Sequence, residues 1–202
     1  MRMYVNSLAT KLLVKAQMLM PQQRWVQPTL AIASASALVS NALWSHTDEE
    51  AISAMRGILQ EDQLPYPKLS LNATCGPKNT AENADECTAG QAVSVKVILN
   101  REHAAPPADG QEPNNPQGIY EAYWLYVEGL KEGQPNSLIA AQPMVVKDLE
   151  EAVVEAEKDF QAPPKPGTYT LRVHVVSTSV IGIHHTKDVS FTVVEDDVPA
   201  LE

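Results

Sequence analysis

Hydrophobic periodicity changes once along this 202-residue chain, at Pro65 and Pro67, from helical spacing to alternation. Downstream, short alternating segments recur between turn-rich stretches, with no strand–helix–strand pattern among them and a large aromatic on a central strand. These observations predict an α+β chain: a short N-terminal helical segment followed by an antiparallel immunoglobulin-like (fibronectin-type) β-sandwich. The boundaries fall at 1–66 for the helices, 67–195 for the sandwich and 196–202 for a short acidic tail.

The helical third reads as three helices. Val5, Leu8, Leu12, Leu13 and Leu19 recur near helical spacing and Pro21 closes the run. After Pro28, the stretch from Thr29 to Trp44 mixes Leu30, Ile32, Leu38, Val39 and Leu43 with small Ala and Ser residues, which suits close helix packing. At 16 residues with four serines it is too short and too polar for a membrane span. Thr47 with Glu50 forms a capping-box signature, and Ala51, Ile52, Met55, Ile58 and Leu59 share one face of the helix it opens.

Alternation begins weakly at Leu69 and Leu71 and becomes clear at Val93, Val95, Val97 and Leu99. Ile119–Val127 is apolar on both faces, Tyr120, Ala122, Trp124 and Tyr126 on one and Tyr123, Leu125 and Val127 on the other, as in a central or covered strand. Further strands run through Tyr169, Leu171, Val173 and Val175, and through Val189, Phe191 and Val193. Residues 101–118, with four prolines and two glycines, form a long solvated loop. In the acidic stretch 148–160, Val154, Ala156 and Phe160 suit an edge strand.

Charge is divided unevenly. Residues 1–47 carry Arg2, Lys11, Lys15 and Arg24 and no acid, a net +4, against −14 for the remainder. An acid-free amphipathic start is also the signature of a transit peptide. The helical pattern continues well beyond such a peptide, so a packed helical segment is the reading taken. The overall −10 argues against a nucleic-acid backbone binder. Two cysteines exclude a disulfide-dense secreted scaffold.

No catalytic constellation is present. Cys75 and Cys87 bracket a polar loop and remain thiols in a reducing compartment. His184 and His185 are adjacent, point to opposite faces of a strand and read as exposed histidines rather than metal ligands. The Asn72-Ala73-Thr74 sequon matters only in a lumenal or secreted setting. Glu157 and Asp159 read as a solvated acidic edge. The chain is expected to be no enzyme and to need no cofactor or metal.

Three ordered blocks then carry a resemblance: Trp124-Leu125-Tyr126-Val127, Ala162-Pro163-Pro164-Lys165-Pro166-Gly167-Thr168-Tyr169, and Ser177-Thr178-Ser179-Val180-Ile181-Gly182. With the helical block Arg24-Trp25-Val26-Gln27-Pro28-Thr29-Leu30, they resemble the Sec sixty-three (Sec63) domain family over about residues 10–195. That domain is shared by the J-domain membrane subunit of the endoplasmic reticulum translocon and by large spliceosomal helicases. Physically, Trp124 reads as a core aromatic, Pro166 stiffens the approach, Gly167 turns the chain, Tyr169 opens a core-facing strand, and Gly182 permits a positive φ or a bulge. The family usually has an Asp and an aromatic where Thr178 and Val180 stand.

The resemblance implies a non-catalytic scaffold for post-translational import, placed on the cytosolic face of an endoplasmic reticulum membrane complex. Its partners would be the translocon channel and the neighbouring translocation subunit, with no nucleic acid and no membrane span in this chain. A lumenal chaperone enters only if an upstream J domain exists, and the chain is read as a cytosolic fragment or a stripped-down relative. The acidic end, Glu195, Asp196, Asp197 and Glu202, is the candidate partner-binding group. Two alternatives are a C-terminal regulatory module of a spliceosomal helicase and an extracellular immunoglobulin-like adhesion domain, the latter using the Cys75–Cys87 loop and the Asn72 sequon.

Overall fold

Three helices precede eight strands in the computed structural model, which describes residues 2–44, 46–62, 64–78, 85–104, 121–146 and 151–195. Helix α1 (Arg2–Leu19) stops at a 3-10 turn, Met20–Gln23, where Pro21 cannot continue the α-helical ladder. The turn ends on Arg24 in a left-handed conformation, φ 57°. Helix α2 (Val26–Ser40) keeps Pro28 within its first turn, where the missing N–H costs nothing. Helix α3 (Asp48–Glu61) opens on the expected capping box, with the Thr47 side chain and the Glu50 backbone N–H paired and the Glu50 carboxylate returning to Thr47 N at 2.9 Å.

The strands are β1 (Leu69–Pro77), β2 (Glu86–Thr88), β3 (Ala92–Arg101), β4 (Ala122–Gly129), β5 (Ser137–Val145), β6 (Val153–Gln161), β7 (Gly167–Ser177) and β8 (His184–Val194). They form a three-stranded sheet in the order β1-β3-β6 and a five-stranded sheet in the order β2-β8-β7-β4-β5. All pairs are antiparallel except the short β2, which runs parallel to β8. Val93, Val95, Val97 and Leu99 of β3 form one inner face, and Tyr123, Leu125 and Val127 of β4 with Leu171, Val173 and Val175 of β7 belong to the same buried core.

Strand β5 escapes the sequence reading because SLIAAQPMV does not alternate and contains Pro143. It is the outer strand of its sheet, the position where a proline removes no ladder bond. The acidic segment does become an edge strand, β6, paired on one side with β3. The expected solvated loop 101–118 is corrected at its start, where Arg101 ends β3 and both Arg101 and Ala104 are buried; its remainder 105–118 lies outside the described residues, as do Ile119, Tyr120 and residues 147–150 and 196–202.

The reading of Trp124 as a sandwich-core aromatic is corrected. Period-two geometry turns Tyr123, Leu125 and Val127 toward the inner face, so Trp124 and Tyr126 take the outer face of β4. There they stack on each other at 5.8 Å between ring centroids. Tyr126, Leu138 and Val176 form a second cluster with Val26, Leu30 and Ala33 of α2, and Trp124 packs half-buried at its margin. Helix α2 thus covers the back of the five-stranded sheet.

Candidate interface and its buried polar supports

The block Ser177–Gly182 links β7 to β8 and fastens the helices to the sandwich. Asn41, which ends α2, donates from Nδ2 to Ser179 O at 2.7 Å. Tyr66, between the two prolines, donates its hydroxyl to Ile181 O at 2.6 Å, and the Arg56 guanidinium of α3 lies 4.9 Å from the Tyr66 ring centroid. Inside the turn, Ser177 Oγ accepts from Val180 N at 2.9 Å, and Ser179 Oγ accepts from Ala122 N at 3.0 Å. Val180 is buried in the main core. The departures Thr178 and Val180 therefore serve the turn: Val180 packs, and Thr178 N donates to Ala122 O at 2.9 Å.

Gly182 is required twice over. Its φ is +83°, and a Cβ there would lie 2.7 Å from Ile52 Cγ1 of α3 and 2.9 Å from the Tyr66 hydroxyl. The glycine lets α3 approach the β7–β8 turn, and the sequence-level expectation of a positive φ holds at this residue.

The Pro163–Tyr169 block sits at the opposite end of β7. Gly167 has φ +145°. Tyr169 is half-buried, stacks on Phe191 at 5.7 Å, and donates its hydroxyl back to Lys165 O at 2.8 Å. This hydroxyl-to-upstream-carbonyl bond fixes the approach that Pro166 stiffens. Phe160, Tyr169 and Phe191 border a broad open cleft of about 1380 Å³, with Lys131, Lys165 and Arg172 at its polar margin.

Two buried polar clusters were not legible in the sequence. In the first, Glu121 accepts from Arg101 Nη2 at 2.7 Å and Arg101 Nε at 3.1 Å, meets His103 Nε2 at 2.8 Å, and accepts the Tyr123 hydroxyl. Arg101 also donates to Glu151 O. Burial works against the Glu121 charge, but the hydrogen bonds from His103, Arg101 and Tyr123 outweigh it and hold the carboxyl at about 2. Burial pushes the Tyr123 hydroxyl up, and the adjacent Glu121 charge adds to the shift.

In the second cluster, on the outer face of the five-stranded sheet, Asn136 donates to Glu128 Oε1 at 2.8 Å and Glu128 Oε2 meets His174 Nε2 at 2.8 Å. The other ring nitrogen of His174 faces His184 Nε2 at 3.0 Å. His184, exposed as expected, is set by the β-register one diagonal step from His174. Burial, then the neighbouring rings of His174 and His185, depress its pKa. Among the described residues no group of three or more His, Cys, Asp or Glu side chains is placed to hold a metal ion.

The remaining candidates fall apart from these clusters. Glu195 is exposed just past β8, and Asp196, Asp197 and Glu202 lie outside the described residues. Glu157 accepts from Ser94 Oγ of β3 at 2.6 Å and Asp159 pairs with Lys78, which follows β1, so these two of the three carboxylates of β6 are held by neighbouring side chains. Cys75 and Cys87 are free thiols, and burial, with the nearby Cys87, pushes Cys75 up to about 12. Asn72 is exposed on β1. Among the described residues no helix is long and apolar enough to cross a membrane.

No curated protein sequence gives a significant match to the chain. Among solved structures, it is similar to a CARDB domain from Pyrococcus furiosus at 12% identity and TM-score 0.32, covering 64% of this chain and 97% of that one. It is also similar to the putative ApaA protein of Bordetella pertussis at 12% identity and TM-score 0.35, covering 63% and 94%. A β-glucosidase of saponin metabolism from intestinal bacteria is similar at 16% identity and TM-score 0.34, covering 65% of this chain and 17% of that one. The family model of the Sec63 Brl domain matches residues 2–190, a span that takes in the helices, the three blocks and most of β8. The chain therefore belongs to the Sec63 Brl domain family, whose domain serves as a regulatory or scaffold module, not itself catalytic, in the translocon subunit and in spliceosomal helicases alike.

Proposed function

We propose that the chain is a scaffold of the endoplasmic reticulum protein-translocation machinery, acting at the cytosolic face of the membrane and contacting the translocon channel and its neighbouring subunit. The observation that carries the scaffold reading is the double fastening of α2 and α3 to the β7–β8 turn by Asn41 and Tyr66. A support needs its parts held at a fixed angle, and two part-buried bonds plus the Gly182–Ile52 approach serve that end. The translocon branch is supported by the Lys165-Pro166-Gly167-Thr168-Tyr169 and Trp124-Leu125-Tyr126 versions of the blocks, and by the acidic end of a stretch, residues 48–202, whose net charge is −14.

The acidic residues would steer a basic partner surface and set its on-rate. The test is binding of the purified chain to solubilised translocon complex across a salt series, beside a variant carrying Glu195→Gln, Asp196→Asn, Asp197→Asn and Glu202→Gln. Capture of the channel, slowed by salt and by the variant, is the expected result. Capture of spliceosomal proteins in its place from nuclear extract, with no channel binding, overturns the translocon branch. A salt-indifferent on-rate overturns the role of the acidic end.

A further inference from the structure

Helix α1 is turned inside out for a packed helix. The side it gives to α2 is mostly small and polar, with Leu13 the one large apolar side chain among its described residues: Ala9, Thr10, Leu13 and Ala16 are half-buried, and the buried Gln17 donates to Ser36 Oγ of α2 at 2.6 Å. Apart from Leu13, the large apolar side chains of its described residues 8–19 are exposed. Leu8 is 49% exposed, Leu12 60%, Val14 43%, Met18 60% and Leu19 56%, with Val14 off to one side of the others. A helix that leaves Leu8, Leu12 and Leu19 in water while alanines and a glutamine make most of its contact has its main apolar face unpartnered.

The exposed residues are not scattered. Leu8, Leu12, Lys15 and Leu19 follow a four-three-four spacing, the seam of a heptad repeat, with Lys11 and Met18 along its open flank. Ala9 and Ala16 lie on the other flank, against α2. The seam runs about 16 Å, at 1.5 Å per residue, so two heptads of a partner helix would cover it. Lys15 stands within the seam, where a leucine would be the apolar choice. A lone cation at such a position favours partners with a carboxylate opposite it.

From this we infer that α1 is one half of a two-helix seam whose occupant is an acidic amphipathic helix of a partner protein. Charge decides among occupants. A second copy would bring its own Lys11 and Lys15 against these, because residues 1–47 hold no acid. An anionic bilayer favours a wide apolar arc with lysines at its margins, whereas here a lysine interrupts the apolar line itself. An acidic heptad helix satisfies both the leucines and the lysines. This site is separate from the acidic end of the chain and stands whether or not the sandwich docks on the channel.

The probe is a synthetic heptad peptide of about 28 residues, long enough to be helical when paired. It has Leu at the seam positions, Glu on both flanks and one Glu within the seam, and the repulsion among its glutamates keeps it from pairing with itself. Fluorescence anisotropy with the full chain should show saturable, salt-weakened binding. Leu12→Gln and Lys15→Glu should each weaken it at least about tenfold, and a peptide with Lys for every Glu should bind to Lys15→Glu better than to the unaltered chain. Both substituted residues are exposed, so unchanged thermal unfolding of the variants shows that the fold is intact. Failure of the acidic peptide to bind, or binding indifferent to Leu12→Gln, overturns the proposal. So does tighter binding to phosphatidylserine vesicles than to the peptide, or a concentration-dependent dimer in sedimentation that Leu12→Gln abolishes.

Discussion

Glu121 holds a negative charge where it is almost wholly shielded from water, and it does so because three donors converge on two oxygens. Arg101 ends β3 and Glu121 precedes β4, so the pair ties the end of one strand to the start of the other across the two sheets. With the folded carboxyl at about 2, below its ordinary value, the stabilisation is fully present above the usual carboxylate range. It is lost as pH falls through that range toward about 2. Glu121→Gln keeps the volume but removes the carboxylate that Arg101, His103 and Tyr123 share, and breaking a buried ion pair by removing one partner costs about 3–5 kcal/mol. Thermal unfolding at neutral pH should report a clear fall in Tm, and the gap between variant and parent should narrow below about pH 4, where the carboxyl protonates in the unfolded parent while the folded one stays ionised down to about 2. A constant gap across that range would assign the stabilisation to packing. The Tyr126 hydroxyl offers the opposite case, being buried with no hydrogen-bond partner among the described residues. Tyr126→Phe should therefore leave stability unchanged or raise it by up to about 1 kcal/mol in denaturant titration.

At the scale of elements, β4 is apolar on both faces because each face meets a different layer. Leu125 is fully buried between the sheets, and Trp124 lies half-buried by the α2 cluster. Leu125→Ala should cost about 2–5 kcal/mol. Trp124→Ala should cost less and should leave the sandwich cooperative in a denaturant melt, its main effect being a looser α2. Equal losses from the two substitutions would place Trp124 back among the core aromatics. The sequence shows that β4 is two-faced but not which face is the sandwich, since alternation carries no label for the layer opposite. The same limit hid β5, whose proline is harmless only because the strand is outermost. Glu121 was illegible for a related reason: its partners Arg101 and His103 stand 20 and 18 residues upstream, and no spacing rule reaches that far. By contrast the α3 capping box was legible because Thr47 and Glu50 satisfy each other within one turn. Gly182 was half legible. A positive φ can be guessed from a glycine between strands, but not the Ile52 side chain that crowds it. Gly182→Ala should lose more stability than backbone strain alone explains, and Ile52→Ala in the same chain should recover part of the loss in a double-mutant cycle.

Across the whole molecule, anchoring falls off toward the N-terminus. Helices α2 and α3 share buried apolar clusters with the sheets and are fastened to the β7–β8 turn. Helix α1 touches the rest mainly through α2, and its contact is made largely by small and polar side chains, a glutamine–serine bond among them. Burying an alanine face stabilises far less than burying leucines, because the stabilisation scales with the apolar area removed from water. Local opening should therefore need less free energy at α1 than at α2, α3 or the strands. Hydrogen exchange followed by mass spectrometry should find the amides of residues 8–19 exchanging well before those of residues 26–40. A second consequence separates this gradient from mere fraying at a chain end: removal of residues 1–23 should leave the sandwich and α3 with nearly unchanged protection. If α1 exchanged as slowly as α2, or if its removal unfolded the sheets, the helix would be an integral part of the core. Its outward leucines would then need a different physical account.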